Sequence, residues 1–299
     1  MKLAPLDTST PFGKLRPTAL QRLGWSLATG KWPPRIKRWL RRRVRGETGP
    51  FDVRVMGPRE PNDQADMVWR KGQLQDRRLK FRAYPSENYC DRVLVGQGRL
   101  PEHREHFEIQ RLNAVLPIRT FVDIGANVGT YSAFVGTIAP DARILAFEPH
   151  PRTAQKLRFN LAANGVDAEV IQAGVGTEPG TMQLWSDGGG NVGQTSLLPE
   201  ATSNAKVAID VKIVRLADAL AERDIRHIDL LKIDVEGFED RALSSLLSFS
   251  PNRQVDLPRA ILLEEEHSAL WQDDLLDRLR RLGYRETFRT RQNALHVLS

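Results

Sequence analysis

The sequence predicts an α/β fold: a parallel sheet covered by helices on both faces. Three observations carry that expectation. After Pro117 strand-like and helix-like runs alternate, the pattern of a parallel sheet whose strands are joined by helical crossovers. The first of these strand-like runs ends in a glycine-containing turn that opens a helix. The chain closes on two short strand-like runs near enough in sequence to pair as an edge hairpin.

Taken in order, residues 1–34 scatter Pro5, Pro11, Pro17, Pro33 and Pro34 among small polar residues, which suits a loosely held arm with a regular element only over Thr18–Leu27. Residues 35–45 (RIKRWLRRRVR) set Ile36, Leu40 and Val44 at helical spacing beside Trp39 amid seven cations, so a helix there is amphipathic and basic. From Phe51 to Gly98, β-favouring runs such as Phe51–Val55 and Leu79–Tyr84 suggest hairpins capping the main sheet. Pro101 and Glu102 open a helical pattern carrying Phe107, Ile109, Leu112, Val115 and Leu116, which Pro117 stops. Strands are expected at Thr120–Ile124, Arg143–Phe147, Ala168–Ala173, Ile228–Ile233 and Ala260–Leu263. Helices are expected at Thr130–Ile138, Thr153–Asn164, Glu239–Phe249 and Ser268–Leu282, and the closing hairpin at Tyr284–Phe288 and Ala294–Leu298. An insertion holds strand signals at Thr181–Trp185 and Val207–Arg215 around the loop 188–193. The organisation read from this is a basic extension (1–50), cap hairpins with a lead-in helix (51–116) and a core (117–299).

The charge is lopsided. The first fifty residues hold 12 Lys and Arg against Asp7 and Glu47, and the other 249 hold 32 against 35 acids, within totals of 44 and 37. A single cysteine, Cys90, excludes an intramolecular disulfide framework and any multi-cysteine zinc site. No stretch approaches the roughly 18 apolar residues of a membrane span, and the first thirty residues lack a secretory apolar run. The expected location is cytoplasmic, with peripheral contact at the inner face of a membrane through residues 35–45.

The strongest chemical signal is FVDIGANVGTY at 121–131, an apolar strand that ends near an acid and enters a turn with Gly125 and Gly129. Such a turn brings backbone N–H groups and a helix N-terminus up to a ligand. The dinucleotide fingerprint is absent, since Asn127 and Thr130 stand where its later glycines fall, and Asp123 suits a cationic ligand group better than a phosphate. The second signal is ILAFEP at 144–149, whose Glu148 ends the next strand where a carboxylate can accept both ribose hydroxyls.

VDIGANVGTYS, AFEPHP, the helix with Asn160 and Asn164-Gly165, the loop NVGQTSL and DLLKIDVEGFE, in that order, resemble the FkbM family of S-adenosylmethionine-dependent methyltransferases. The resemblance runs from about Phe81 to the C-terminus. It implies the class I methyltransferase fold, Rossmann-like, with a seven-stranded sheet whose last strand is reversed, and S-adenosyl-L-methionine as cofactor. It also implies Asp123, Gly125, Asn127 and Gly129 around the methionine moiety, Glu148 on the ribose, and Gln172 and Ala173 at the adenine slot.

DLLKIDVEGFE crowds Asp234, Glu236 and Glu239 at the mouth of the same cleft, where neighbouring carboxylates resist simultaneous ionisation and one can serve as a base. The alternatives are a structural role, with Asp234 positioning the cofactor's amino end and Glu236 capping the following helix, or a shared divalent cation. His267, after the acidic run Glu264–Glu266, is a further candidate base because imidazole titrates near neutrality. Asn191, Gln194, Thr195 and Ser196 offer hydrogen bonds to a polar acceptor. The expected reaction is O-methylation of a sugar, glycolipid or related metabolite. The rivals are an RNA methyltransferase holding phosphates with the basic arm, and a non-catalytic cofactor-binding scaffold.

Overall fold

A computed structural model describes residues 6–29, 50–55, 57, 79–186, 195–202, 207–248 and 255–299. The basic segment 35–45 and the glycine loop with Asn191 and Gln194 lie outside the described residues. The first elements are α1 (Ala19–Thr29), β1 (Phe51–Val55), β2 (Leu79–Ala83), α2 (Tyr89–Gln97) and α3 (His103–Val115). The core follows as β3 (Thr120–Ile124), α4 (Thr130–Ile138), β4 (Arg143–Phe147), α5 (Pro151–Asn164) and β5 (Glu169–Ile171). Next come β6 (Gly174–Gly176), β7 (Gly180–Ser186), β8 (Val207–Arg215), α6 (Leu216–Ala221), β9 (Leu230–Ile233) and α7 (Glu239–Ala242). The chain ends with β10 (Ala260–Glu264), α8 (Leu275–Arg281), β11 (Tyr284–Arg289) and β12 (Asn293–Leu298).

Seven strands form the main sheet in the order β11-β12-β10-β9-β3-β4-β5. β3, β4, β5, β9 and β10 pair in parallel, while β12 lies antiparallel to both β10 and β11. This is the class I methyltransferase sheet with its reversed last strand, as the resemblance implies. Alternate residues along each strand feed two apolar layers. Phe121, Ile144, Leu230 and Leu262 join the layer under α4. Val122, Leu145, Leu231 and Ile261 join the layer with β8 and α6. Strand order reverses at β3, between β4 and β9, so a crevice opens beyond the strand ends there, the usual ligand position in such sheets.

For residues 6–29 the structure corrects the reading of a loosely held arm. Residues 6–29 dock on the cap: the Arg82 guanidinium, paired with Asp52 at 2.7 Å, donates to the carbonyls of Asp7 at 2.8 Å and Thr10 at 2.7 Å. Asp52 in turn accepts the N–H groups of Gly13 and Leu15. Trp25 is buried, and α1 crosses α2 so closely that a Cβ at Gly96 would stand 2.6 Å from the Trp25 carbonyl carbon. The two β-favouring runs form β1 and β2, which pair antiparallel with Phe51 opposite Ala83.

Other boundaries also shift. The helix expected over Glu239–Phe249 is only α7, and the one over Ser268–Leu282 breaks into a 3₁₀ turn at Ser268–Leu270 and α8. The break is a turn held by Asp240, whose carboxylate accepts the N–H groups of Gln272 and Asp273 before Asp274 caps α8. The strand expected over Ala168–Ala173 shortens to β5 in the main sheet, and β6, just beyond it, joins β7 and β8 in a second, three-stranded sheet.

Candidate functional site

The glycine turn is built by contacts that require glycine. Gly125 sits at φ 75°, and a Cβ there would lie 1.9 Å from the Asp234 carbonyl oxygen. Gly129, at φ 87°, would drive a Cβ to 2.5 Å from Leu157. Between them the Gly125 and Ala126 N–H groups both donate to the Phe147 carbonyl, and Asn127 N–H donates to Glu148 at 2.9 Å. The His150 N–H binds the other Glu148 oxygen at 2.9 Å. Glu148 is therefore held by two backbone donors with lone pairs to spare. Burial without a cationic partner pushes its carboxyl up to about 7.

A cavity of about 340 Å³ lies over these strand ends. Gly125, Asn127, Glu148, Ala173, Asp234 and Glu236 line it; Asp123, Gly129, Gln172 and His267 do not. Asp123 is fully buried beneath the turn, where it accepts the Ser132 hydroxyl at 2.6 Å and lies 3.9 Å from the Lys232 ammonium. Gly129 is behind the turn against Leu157. His267 backs Glu236 instead, its Nε2 3.0 Å from the carboxylate, and that bond raises the imidazole above its ordinary value.

The loop after β9 is braced from below. Glu239 is buried and accepts the N–H groups of Val235 at 3.0 Å and Gly237 at 3.2 Å, while its other oxygen accepts the Trp271 indole N–H at 2.8 Å. This fixes the segment that carries Asp234 and Glu236, the latter at a left-handed φ of 56°. Lys232 sits under the same wall, donating to the Gly125 carbonyl at 3.1 Å and to Asp234 at 3.5 Å. Burial alone would lower its ammonium, but Asp234, Asp123 and Glu102 overcome that and raise it. Among the described residues, no grouping of His, Cys, Asp and Glu suits a metal ion.

Sequence reasoning missed several wall residues. Glu102 and Glu264 line the cavity, as do Asn88, Glu266, Gln292 and Asn293. Glu264 gives one oxygen to the Glu266 N–H at 2.6 Å, leaves the other buried without a partner, and is pushed by burial, Asp234 and Glu239 to about 9. Glu264, the last residue of β10, and Glu266 belong to the acidic run noted in the sequence, which gave them no place in the wall; Glu102 and Asn88 come from the cap and had no signal.

Six carboxylic residues, Glu102, Glu148, Asp234, Glu236, Glu264 and Glu266, line the wall, and among its described residues there is no Lys, Arg or His. A sulfonium cofactor with an ammonium group fits such a wall. Phe147, Pro149, Ala173, Val175, Leu184 and Leu197 add an apolar side that suits an adenine. The sheet and this crevice together define a class I methyltransferase.

Comparison with known proteins agrees. Residues 123–286 match the profile of the methyltransferase FkbM domain. The chain is 32% identical over 163 residues to methyltransferase sdnD of Sordaria araneosa, covering 44% of this chain and 62% of that protein. It is 29% identical over 150 residues to 31-O-demethyl-FK506 methyltransferase FkbM of Streptomyces tacrolimicus, covering 42% and 58%. It thus spans less than two thirds of the length of either relative. A solved methyltransferase FkbM from Methylobacillus flagellatus KT aligns at 17% identity and TM-score 0.36, covering 60% of this chain and 43% of that one. The chain belongs to the FkbM methyltransferase family, and its cofactor is S-adenosyl-L-methionine.

Proposed function

We propose that this protein transfers a methyl group to a hydroxyl oxygen of an uncharged, polyhydroxylated acceptor such as a sugar, glycolipid or related metabolite. Bound S-adenosylmethionine supplies an already activated methyl on its sulfonium, so the chain's residues have chiefly to align and to remove a proton. As the acceptor oxygen gains the methyl carbon and the sulfur–carbon bond breaks, the hydroxyl proton must go to a base. Asp234 and Glu236 line the cavity and are the candidates; burial holds the Glu236 carboxyl above its ordinary value, nearer the range a base needs. His267, bonded to Glu236 from outside the wall, orients that carboxylate and shares its proton.

The observation that carries this reading is the wall of six carboxylic residues without a described cation. It favours a neutral acceptor and opposes the phosphates of RNA. The relative named 31-O-demethyl-FK506 methyltransferase, whose name specifies an oxygen acceptor, supports the same direction. The test is incubation with methyl-labelled cofactor and separate lipid, glycan and RNA extracts. Label in the glycan or lipid fraction, as a base-stable ether, supports the reading; label in RNA overturns it.

A second reading concerns where the acceptor is met. The seven cations and Trp39 of residues 35–45 support peripheral attachment to an anionic membrane surface close to a lipid-linked acceptor. Among the described residues no helix is long and apolar enough to cross a membrane.

A further inference from the structure

We propose that Glu102, from the segment leading into α3, binds the α-ammonium of the methionyl part of S-adenosylmethionine together with Asp234, which leaves Glu236 as the base. The cap would then supply one wall of the cofactor site. Glu102 lines the cavity beside Gly125, Asn127 and Asp234, although it precedes the first core strand by eighteen residues.

Its backbone is a first reason. Glu102 stands before a 13-residue helix at φ 52°, left-handed, and its side chain makes no capping bond to that helix. Only four non-glycine residues among those described have positive φ, namely Glu102, Asn127, Asp224 and Glu236, and three of them line this cavity. Backbone held in that region costs free energy and gathers where a ligand is gripped.

The side chain is also aimed. The Tyr131 hydroxyl donates to Glu102 Oε2 at 2.7 Å. Tyr131 is stacked on His106 with ring centroids 4.2 Å apart, and His106 Nδ1 lies 2.9 Å from the Glu102 carbonyl oxygen. Both ends of Glu102 are therefore fixed by one buried aromatic pair.

Charge supplies the third reason. Asp123, the carboxylate the motif suggests for a cationic group, lies beneath the turn, where Oδ2 accepts the Ser132 hydroxyl and Oδ1, with no hydrogen-bond partner, is 3.9 Å from the Lys232 ammonium; it does not line the cavity. Lys232 is itself engaged by Gly125, Asp234 and Asp123. Glu102 and Asp234 face the cavity, and their mutual repulsion adds to burial in raising Glu102 to about 7. An ammonium between them relieves that repulsion.

The test compares two ligands on the full chain by calorimetry. S-adenosylhomocysteine carries the ammonium; 5′-methylthioadenosine keeps the adenosine and a thioether but has no amino acid. Glu102→Gln preserves the acceptor for Tyr131 and removes the charge. It should weaken S-adenosylhomocysteine binding about 10–100-fold and change 5′-methylthioadenosine binding less than about twofold. Tyr131→Phe, which frees the carboxyl without deleting it, should give a smaller loss with the same selectivity, and it decides the question alone if Glu102→Gln does not fold. Equal losses for both ligands, or no loss for S-adenosylhomocysteine, would overturn the proposal.

Discussion

A carboxylate at a strand end acquires meaning from what holds it. Glu148 has two backbone donors and no cation, so it stays close to neutrality until hydroxyls or solvent favour its charged form. Glu148→Ala removes charge-assisted bonds of about 1.5–3 kcal/mol in sum, so calorimetry should find S-adenosylmethionine bound roughly 10–100-fold more weakly. As pH falls through about 7 the carboxylate gains a proton, and cofactor affinity should fall with it; Glu148→Gln should flatten that dependence. Glu264 makes a contrasting case. Its carboxyl is raised from 4.5 to about 9, so between those values the folded state holds a proton that the unfolded chain releases. Its share of stability then declines as pH rises through that window, by up to about 1.4 kcal/mol per unit, and Glu264→Gln should remove that share, most visibly in thermal melts above pH 7, where Glu102 and Glu148 are already ionised. Neither the Glu264 environment nor the Asp123–Lys232 pair is legible in sequence, because each depends on neighbouring strands brought together from over a hundred residues away or from another loop. The twofold alternation did contain a warning about Asp123. It shares the face of Phe121, which packs inward under α4.

Elements that the sequence marks by local chemistry were read well, and those set by distant contacts were not. The turn from β3 into α4 is dictated by Gly125 and Gly129, and the short core strands by their apolar runs. By contrast the helix expected from Ser268 is broken before α8 where Asp240, within α7, gathers the N–H groups of residues 272 and 273, a contact that periodicity does not contain. The two asparagines of α5 are another such case. Asn164 binds both the N–H and carbonyl of Lys80, and Asn160 accepts the Arg82 N–H at 2.8 Å while donating to the Val128 carbonyl at 2.9 Å. They fasten the cap strand to the cofactor turn. Asn160→Ala leaves two buried backbone groups unpaired, so it should cost about 2 kcal/mol or more and loosen the cap, read as a lowered denaturation midpoint with faster proteolysis near residue 80. Gly125→Ala should be harsher, since its Cβ meets backbone rather than a movable side chain, and failure to bind S-adenosylhomocysteine in any folded fraction is the expected result.

At the scale of the whole chain the N-terminal region does two separable things. Residues 6–29 belong to the fold: Arg82 spends its guanidinium on the carbonyls of Asp7, Thr10 and Pro11, and Trp25 is buried against α2. Residues 35–45 carry the concentrated charge, and attachment of that segment to an anionic membrane is the proposal they support. Deleting everything before Glu47 would confuse the two, because it strips the partners of a buried arginine along with the cations. Changing the seven Lys and Arg of 35–45 to Gln in the full chain isolates the charge. With about 1 kcal/mol per cation near an anionic surface, the unaltered protein should float with phosphatidylserine-containing vesicles at low salt and be released as salt shortens the screening length. The neutralised variant should remain at the bottom of the gradient in every condition, with its melting temperature unchanged. Equal flotation of the two proteins would place the attachment elsewhere, and flotation of neither would remove the membrane from the account.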